Sequence, residues 1–161
     1  MPRLKRSKKY HKFVNFFRTV QKFHPPYRVL IDGNFLHKAT KEGQDIRQQL
    51  SKILQDQPFL FMTKCVMREL ENAGEEVLGK ATLQKSRLIP KLTCKHSGGV
   101  LDPDECIWNY VGSKNESKTW VCTNDEDLRN KFRRSGNTPL FFFNHNVLVM
   151  DSPGEVSEQK F

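Results

Sequence analysis

Four short apolar runs, at residues 27–32, 59–63, 119–123 and 140–143, are set apart by stretches with helical periodicity, and this alternation constrains the fold more than any other feature of the chain. Residues 45–55 place Ile46, Leu50, Ile53 and Leu54 on one face at three- and four-residue steps, as a helix packed on a sheet requires. Helical stretches are also predicted at 64–72, 75–86, 107–111 and 126–134. Gly33 and Asn34 turn the first run into a further helix, and Asn144-His145-Asn146 suits a tight turn before a last strand at 147–150. Strands that alternate with helices build parallel pairs with helices on their faces, so the expected fold is an α/β sandwich with a mostly parallel central sheet. Residues 87–104, with Pro90, Gly98, Gly99 and Pro103, read as an irregular connection, and the tail 151–161 as polar and loose. A chain of 161 residues is long enough to bury one core without disulfide support.

Charge adds a second constraint through its position. The chain holds 27 Lys and Arg against 18 Asp and Glu, a formal charge of +9. Nine of those cations and no acid lie within residues 1–28, so the other 18 balance all 18 acids. Residues 1–26 are therefore expected to form a basic arm on a neutral domain spanning 27–150. Arg3, Lys5, Arg6, Lys8, Lys9, Lys12, Arg18 and Lys22 are candidates for contact with RNA phosphates, whose neutralisation releases counterions. A solvated tail or an import signal would account for the charge, but neither needs the interleaved Tyr10, Phe13, Phe16, Phe17 and Phe23. A helix over 5–20 lines up Tyr10, Phe13, Phe17 and Val20 in a stripe that requires a partner surface. No apolar run is long enough to span a bilayer and no signal-peptide pattern opens the chain, so a membrane partner is not expected.

Three segments bring acids to places where an open parallel sheet does its chemistry. Asp32 ends the first run, Asp125 and Asp127 follow the third, and Glu69 lies one turn into the helix after the second. Carboxylates gathered in this way repel one another unless a divalent ion such as Mg²⁺ or Mn²⁺ sits among them. The same residues have plainer uses. Asp125 suits a helix N-cap, Asp127 suits the positive end of that helix, and Asp32 suits a turn before Gly33-Asn34.

The four cysteines, Cys65, Cys94, Cys106 and Cys122, are unevenly spaced and read as reduced thiols. Cys94, His96 and Cys106 fall in or beside the irregular connection, around 94–106, where little core is available to hold a loop. With Cys65 they would complete a tetrahedral S₃N set for zinc. Buried thiols beside an exposed histidine explain the same residues without a metal.

The segment VLIDGNF, the helix CVMRELE and the segment TNDEDLR resemble, in order and separation, the three acidic motifs of the PIN-domain family, which contains metal-dependent ribonucleases. The resemblance runs from the arm to about Met150 and implies a three-layer PIN-like sandwich. It implies that Asp32, Glu69, Asp125 and Asp127 are the metal-site acids, candidate catalytic ligands of Mg²⁺ or Mn²⁺, with Thr123 placing a hydroxyl beside them. Within the family, the opening RSKKYHKFVNFFRTV, the junction PPYRVLIDGNF and the close NTPLFFFNHNVLVMDSP are similar to the Utp twenty-three branch of the small-subunit processome, which acts in early rRNA processing. That branch carries a Cys-Cys-His-Cys zinc motif matched in order by CVMREL, CKH and DEC. The resemblance thus implies zinc at Cys65, Cys94, His96 and Cys106, leaving Cys122 to the core and holding Lys91 and Lys95 toward RNA. It implies a nucleolar RNA-binding assembly factor whose partners are pre-rRNA or a small nucleolar RNA and other processome proteins. Some members of the branch have lost metal-site acids, and the non-catalytic role is the preferred expectation. All four acids are present here, so a working endoribonuclease is its rival.

Overall fold

The apolar runs become strands and the periodic stretches become helices. In chain order the elements are α1 (Arg3–Thr19), β1 (Arg28–Ile31), α2 (Gly33–Lys41), α3 (Ile46–Leu54), β2 (Phe59–Thr63), α4 (Lys64–Leu78) and α5 (Lys80–Leu88). There follow β3 (Lys91–Leu92), α6 (Pro103–Val111), β4 (Thr119–Cys122), α7 (Glu126–Ser135), β5 (Leu140–Asn144) and β6 (Val147–Met150). The structure, a computed structural model, describes residues 3–153, with side chains from Ser7 onward. The side chains of Arg3, Lys5 and Arg6 and the tail residues 154–161 lie outside the described part.

The six strands form one sheet in the order β3-β2-β1-β4-β5-β6. All neighbours are parallel except β5 and β6, which pair antiparallel from Phe141↔Met150 to Asn144↔Val147. Only that pair is joined by a short turn; each other connection includes a helix, and a crossover returns the chain in the same direction. Helices cover both faces, so β1 and β4 are apolar after their first residues, Arg28 and Thr119, with Val29, Leu30, Ile31, Trp120, Val121 and Cys122 fully buried. The chain winds outward from β1 through β2 to β3, then crosses back to β4 on the other side. This reversal opens a crevice at the carboxyl ends of β1 and β4.

Helix α1 packs on the domain through Tyr10, Val14 and Phe17. Its buried stripe differs from the expected one at Val20, which is 62 % exposed. The helix stops at Thr19, and Lys22, at a φ of 64°, turns the chain so that Phe23 comes back under Phe17. The two rings meet edge to face at 5.5 Å between centroids and both pack on Trp120, at 5.7 and 5.4 Å. Burying a ring such as Phe17 is worth about 2–3 kcal/mol, enough to dock a helix whose exposed face is cationic.

Two further differences come from glycine and from a short edge. Gly79, at a φ of 87°, ends α4 where a continuous helix over 75–86 was expected. The irregular connection contains β3, whose Lys91 and Leu92 pair with Met62 and Thr63 and extend the sheet by one strand.

Candidate functional site

The crevice at the strand-order reversal holds Asp32. Its position is fixed three times over. The Asp32 amide donates to the Cys122 carbonyl at 2.9 Å, joining the ends of β1 and β4. One carboxylate oxygen accepts from the Gly33 amide at 2.7 Å and caps α2, and the other accepts from the Thr123 hydroxyl at 2.7 Å. Thr123 in turn accepts from the Asp125 amide at 3.1 Å, while the Asp125 carboxylate accepts from the Leu128 amide at 3.0 Å and caps α7. The capping roles read from the sequence are real, and they orient the acids without removing them from the crevice. Burial pushes the Asp32 carboxyl up to about 6, against the hydrogen bonds from Thr123 and Gly33, with the charges of Asp125 and Glu69 adding to the rise.

Glu69 approaches from α4, which comes close to the start of α2 because residue 33 is glycine. A Cβ there would lie 2.9 Å from Leu70 Cδ2. The Glu69 carboxyl is also held above its usual range, first by partial burial and then by the charges of Asp102 and Asp104. These last two acids, at the N-cap and first turn of α6, were missed in the sequence. Their signal was the acid-rich start of that helix, Asp102-Pro103-Asp104-Glu105, read there only as the end of a loop. Asp127 faces the same helix: with Asp104, Glu105, Lys131 and Arg134 it lines a groove of about 360 Å³. The acids therefore form an arc over β1, α4, α6 and α7. No three of their carboxylates converge within 4.8 Å among the described residues.

The Cys/His set does converge. The ligand atoms of Cys65, Cys94, His96 and Cys106 lie within 4.8 Å of one another and could hold a metal ion. Cys65 Sγ is 3.3 Å from His96 Nε2 and 3.7 Å from Cys94 Sγ, and Cys106 Sγ is 3.4 Å from Cys94 Sγ. All four cysteines are free, and Cys122 is buried in β4 as expected. Burial raises the Cys94 thiol, but hydrogen bonds from Cys65, Cys106 and Lys64 outweigh it, and the net result is below the ordinary value. Burial pushes Cys106 up to about 12 despite a hydrogen bond to Thr63. The other ring nitrogen of His96, Nδ1, is buried without a partner. Cys65 and Glu69 are four residues apart on α4, hence on one helix face, and Asp104 precedes Cys106 by two residues on α6.

Of the cations predicted for RNA, Lys8, Lys9, Lys12, Arg18 and Lys22 are exposed. The loop lysines are engaged within the protein. Lys91 Nζ donates to the Ser86 and Ile89 carbonyls, and Lys95 Nζ sits 4.6 Å over the Tyr110 ring. No described helix is long and apolar enough to cross a membrane.

A family model described as Fcf1 matches residues 52–152. The chain is 28% identical over 151 residues to the rRNA-processing protein utp23 of Schizosaccharomyces pombe, covering 92% of this chain and 57% of that one. It is 30% identical over 142 residues to the rRNA-processing protein FCF1 of Saccharomyces cerevisiae, covering 88% and 72%. Among solved structures, that of the PIN domain endonuclease Utp24 matches with a TM-score of 0.68 at 26% identity, covering 80% of this chain and 93% of that one. The α/β sandwich expected from the alternation of strands and helices is thus a PIN fold, as the resemblance of the three acidic motifs implied. The chain spans little more than half the length of utp23, at 57%.

Proposed function

The chain belongs to the Fcf1 family, and from that premise we propose that it is an RNA-binding assembly factor of the small-subunit processome, acting in early rRNA processing and ribosome biogenesis in the nucleolus. Its partners are pre-rRNA or a small nucleolar RNA together with other processome proteins. One observation carries this reading beyond the names of its relatives. Helix α1 buries Tyr10, Val14 and Phe17 and leaves Lys8, Lys9, Lys12 and Arg18 in solvent, so its cations project from a helix fixed to the folded domain. A docked cationic helix binds a polyphosphate chain without having to order its backbone first. Changing these four residues to Gln should weaken binding to single-stranded RNA and lower the slope of log K against log salt by roughly 3. An unchanged slope, measured by fluorescence anisotropy across a salt series, would refute the assignment.

Zinc at Cys65, Cys94, His96 and Cys106 belongs to the same reading. A tetrahedron with Zn–S bonds of about 2.3 Å has edges of about 3.8 Å. The sulfur–sulfur separations of 3.4 and 3.7 Å are close to such edges. A closed S₃N set suits a structural ion that holds the loop to α4 and α6.

The hydrogen-bonded run from Asp32 through Thr123 to Asp125 favours a second reading, a metal-dependent endoribonuclease. Asp32, Glu69, Asp125 and Asp127, with Asp104 added, are the residues that would hold Mg²⁺ or Mn²⁺. The ion would supply charge neutralisation at a phosphodiester and a more acidic water. Thr123 fixes the rotamer of Asp32, and the α2 and α7 caps hold the two aspartates at the mouth of the crevice. Cleavage that requires Mn²⁺ and disappears in both Asp32→Asn and Asp125→Asn, with RNA binding intact, would establish this activity over the purely binding role.

A further inference from the structure

The cationic helix α1 borders a feature that phosphate binding does not use. Between α1, α3 and the β5–β6 turn runs a groove of about 590 Å³, larger than the 360 Å³ groove beside the acids. Its size is that of a small-ligand pocket. Its lining is mixed: beside the apolar Ile53, Val147 and Leu148 and the Asp45 carboxylate, Gln44, Gln48, Gln49 and Asn146 bring four side-chain amides to it, and His11 and Tyr10 bring two rings.

These groups are held in place by contacts that leave part of their hydrogen-bonding capacity unspent. Gln49 Nε2 donates to Gln44 Oε1 at 2.8 Å, which leaves the Gln49 amide oxygen and a second N–H on each amide. Gln44 is steadied by the Glu42 carbonyl, and Asn146, turned with its nitrogen toward the Glu42 carboxylate, donates to it at 3.0 Å. His11 Nε2–H donates to the Lys52 carbonyl at 3.2 Å, fixing the ring against α3. Lys52 itself contributes to the wall. An amide offers a donor and an acceptor side by side, the pairing that reads the Watson–Crick edge of a base, and an imidazole is a platform on which a base stacks.

We propose that this groove receives an unpaired nucleotide of single-stranded RNA, with Gln48 and Gln49 meeting the base edge and His11 its face. The inference rests on the RNA-binding reading of α1 and adds to it a distinction between single and double strands. A base held in a duplex has its edge occupied and its faces stacked, so it cannot enter. Phosphates on either side of the bound nucleotide lie within the field of Lys8, Lys12 and Lys52. The β5–β6 turn is itself tied to the acid crevice, because Phe143 at the end of β5 exchanges two hydrogen bonds with the Asn124 side chain, at 2.9 and 3.0 Å, next to Asp125.

The test uses the full chain, a fluorescein-labelled oligouridylate and a hairpin duplex of equal charge. The double substitution Gln48→Ala and Gln49→Ala should lower affinity for the single strand roughly tenfold, leaving the duplex affinity and the salt slope unchanged. Lys8→Gln with Lys12→Gln should weaken both RNAs and flatten the slope. If the lysine variant behaves so and the amide variant loses nothing, or loses equally on both RNAs, the groove assignment fails while the RNA-binding reading stands. If the wild-type chain binds neither RNA, both fail together. Photocrosslinking of the unsubstituted protein to 4-thiouridine RNA needs no variant to fold. Adducts on the peptides bearing Tyr10, His11 or Lys52 are expected, and adducts confined to other surfaces overturn the proposal.

Discussion

Two clusters of candidate ligands share the same helices and are organised in opposite ways. The Cys65, Cys94, His96 and Cys106 atoms lie within 4.8 Å of one another, whereas the acids form an open arc joined by Thr123 and by long-range repulsion. The contrast follows from charge. Burial pushes the Cys106 thiol up to about 12, and an uncharged thiol does not repel the sulfurs beside it until a cation takes the place of its proton. Carboxylates near neutrality are anions and hold each other off until a cation screens them. Soft ligands can therefore be preassembled by the fold, and hard ligands can only be aimed by it. Because Cys65 precedes Glu69 on α4 and Cys106 follows Asp104 on α6, the preassembled cluster sets the spacing of two members of the open one.

The sharpest way to break this contrast is to remove a sulfur. Cys106→Ala should abolish a zinc stoichiometry of one per chain, read by elemental analysis of untagged protein. It should also cost roughly 4 kcal/mol or more, lowering Tm by at least about 10 °C. Unsubstituted protein without zinc, and a variant of unchanged stability, would mean that the sulfur cluster is simply core. A smaller effect of opposite sign is expected at Asp32. Its folded carboxyl titrates near 6, above its unfolded value, so the stability it contributes is full below the unfolded value and is lost as pH rises through about 6. Without added Mg²⁺ or Mn²⁺, Asp32→Asn should therefore stabilise the domain by roughly 2–3 kcal/mol at pH 7.5 and by nothing at pH 4, measured as Tm against pH. A loss of stability at both pH values would show that the hydrogen bond from Thr123 outweighs burial of the charge.

The same titration sharpens the comparison through Mn²⁺. Affinity for the ion should drop by roughly tenfold between pH 7 and pH 5 in wild-type protein, as Asp32 takes up its proton. A flat profile by isothermal titration calorimetry would place the ion away from Asp32. The smallest effect separates the outer acids. Asp104→Asn should weaken Mn²⁺ severalfold, because Asp104 acts on Glu69, and Asp127→Asn by less. The reverse order would move the centre of the arc toward α7.

Much of this was legible in the sequence because it depends on periodicity and on strand ends. The runs that became β1, β2, β4, β5 and β6 are each four or five residues of mostly apolar character; Asp32 sits directly after one of them and Asp125 three positions after another. β3 was not legible: a strand of two residues inside a Pro- and Gly-containing connection has no periodicity to show, and only its pairing with β2 defines it. Val20 was expected to point inward because a regular helix would have carried it round, but the chain leaves the helix one residue earlier. Asp104 was overlooked because its partner, Glu69, is near it only through the packing of α4 against α6. For the same reason the Cys/His set was unresolved by spacing. Its members come from three separate segments, and the resemblance to a zinc motif, not their positions along the chain, brought them together.

The seam between β1 and β4 has a consequence for how the protein is made. Asp32 and Thr123 are 91 positions apart, and every hydrogen bond that joins these two strands closes a loop of about that length. Local pairs such as the β5–β6 hairpin form early in folding, but the entropy of closing a long loop delays the central seam. During synthesis β1 emerges long before β4 and waits with one edge unpaired. The aspartate at its end acquires its hydroxyl partner only when β4 docks. The crevice therefore exists only once β1 and β4 have docked, and whatever it does is reserved for chains in which that seam has formed.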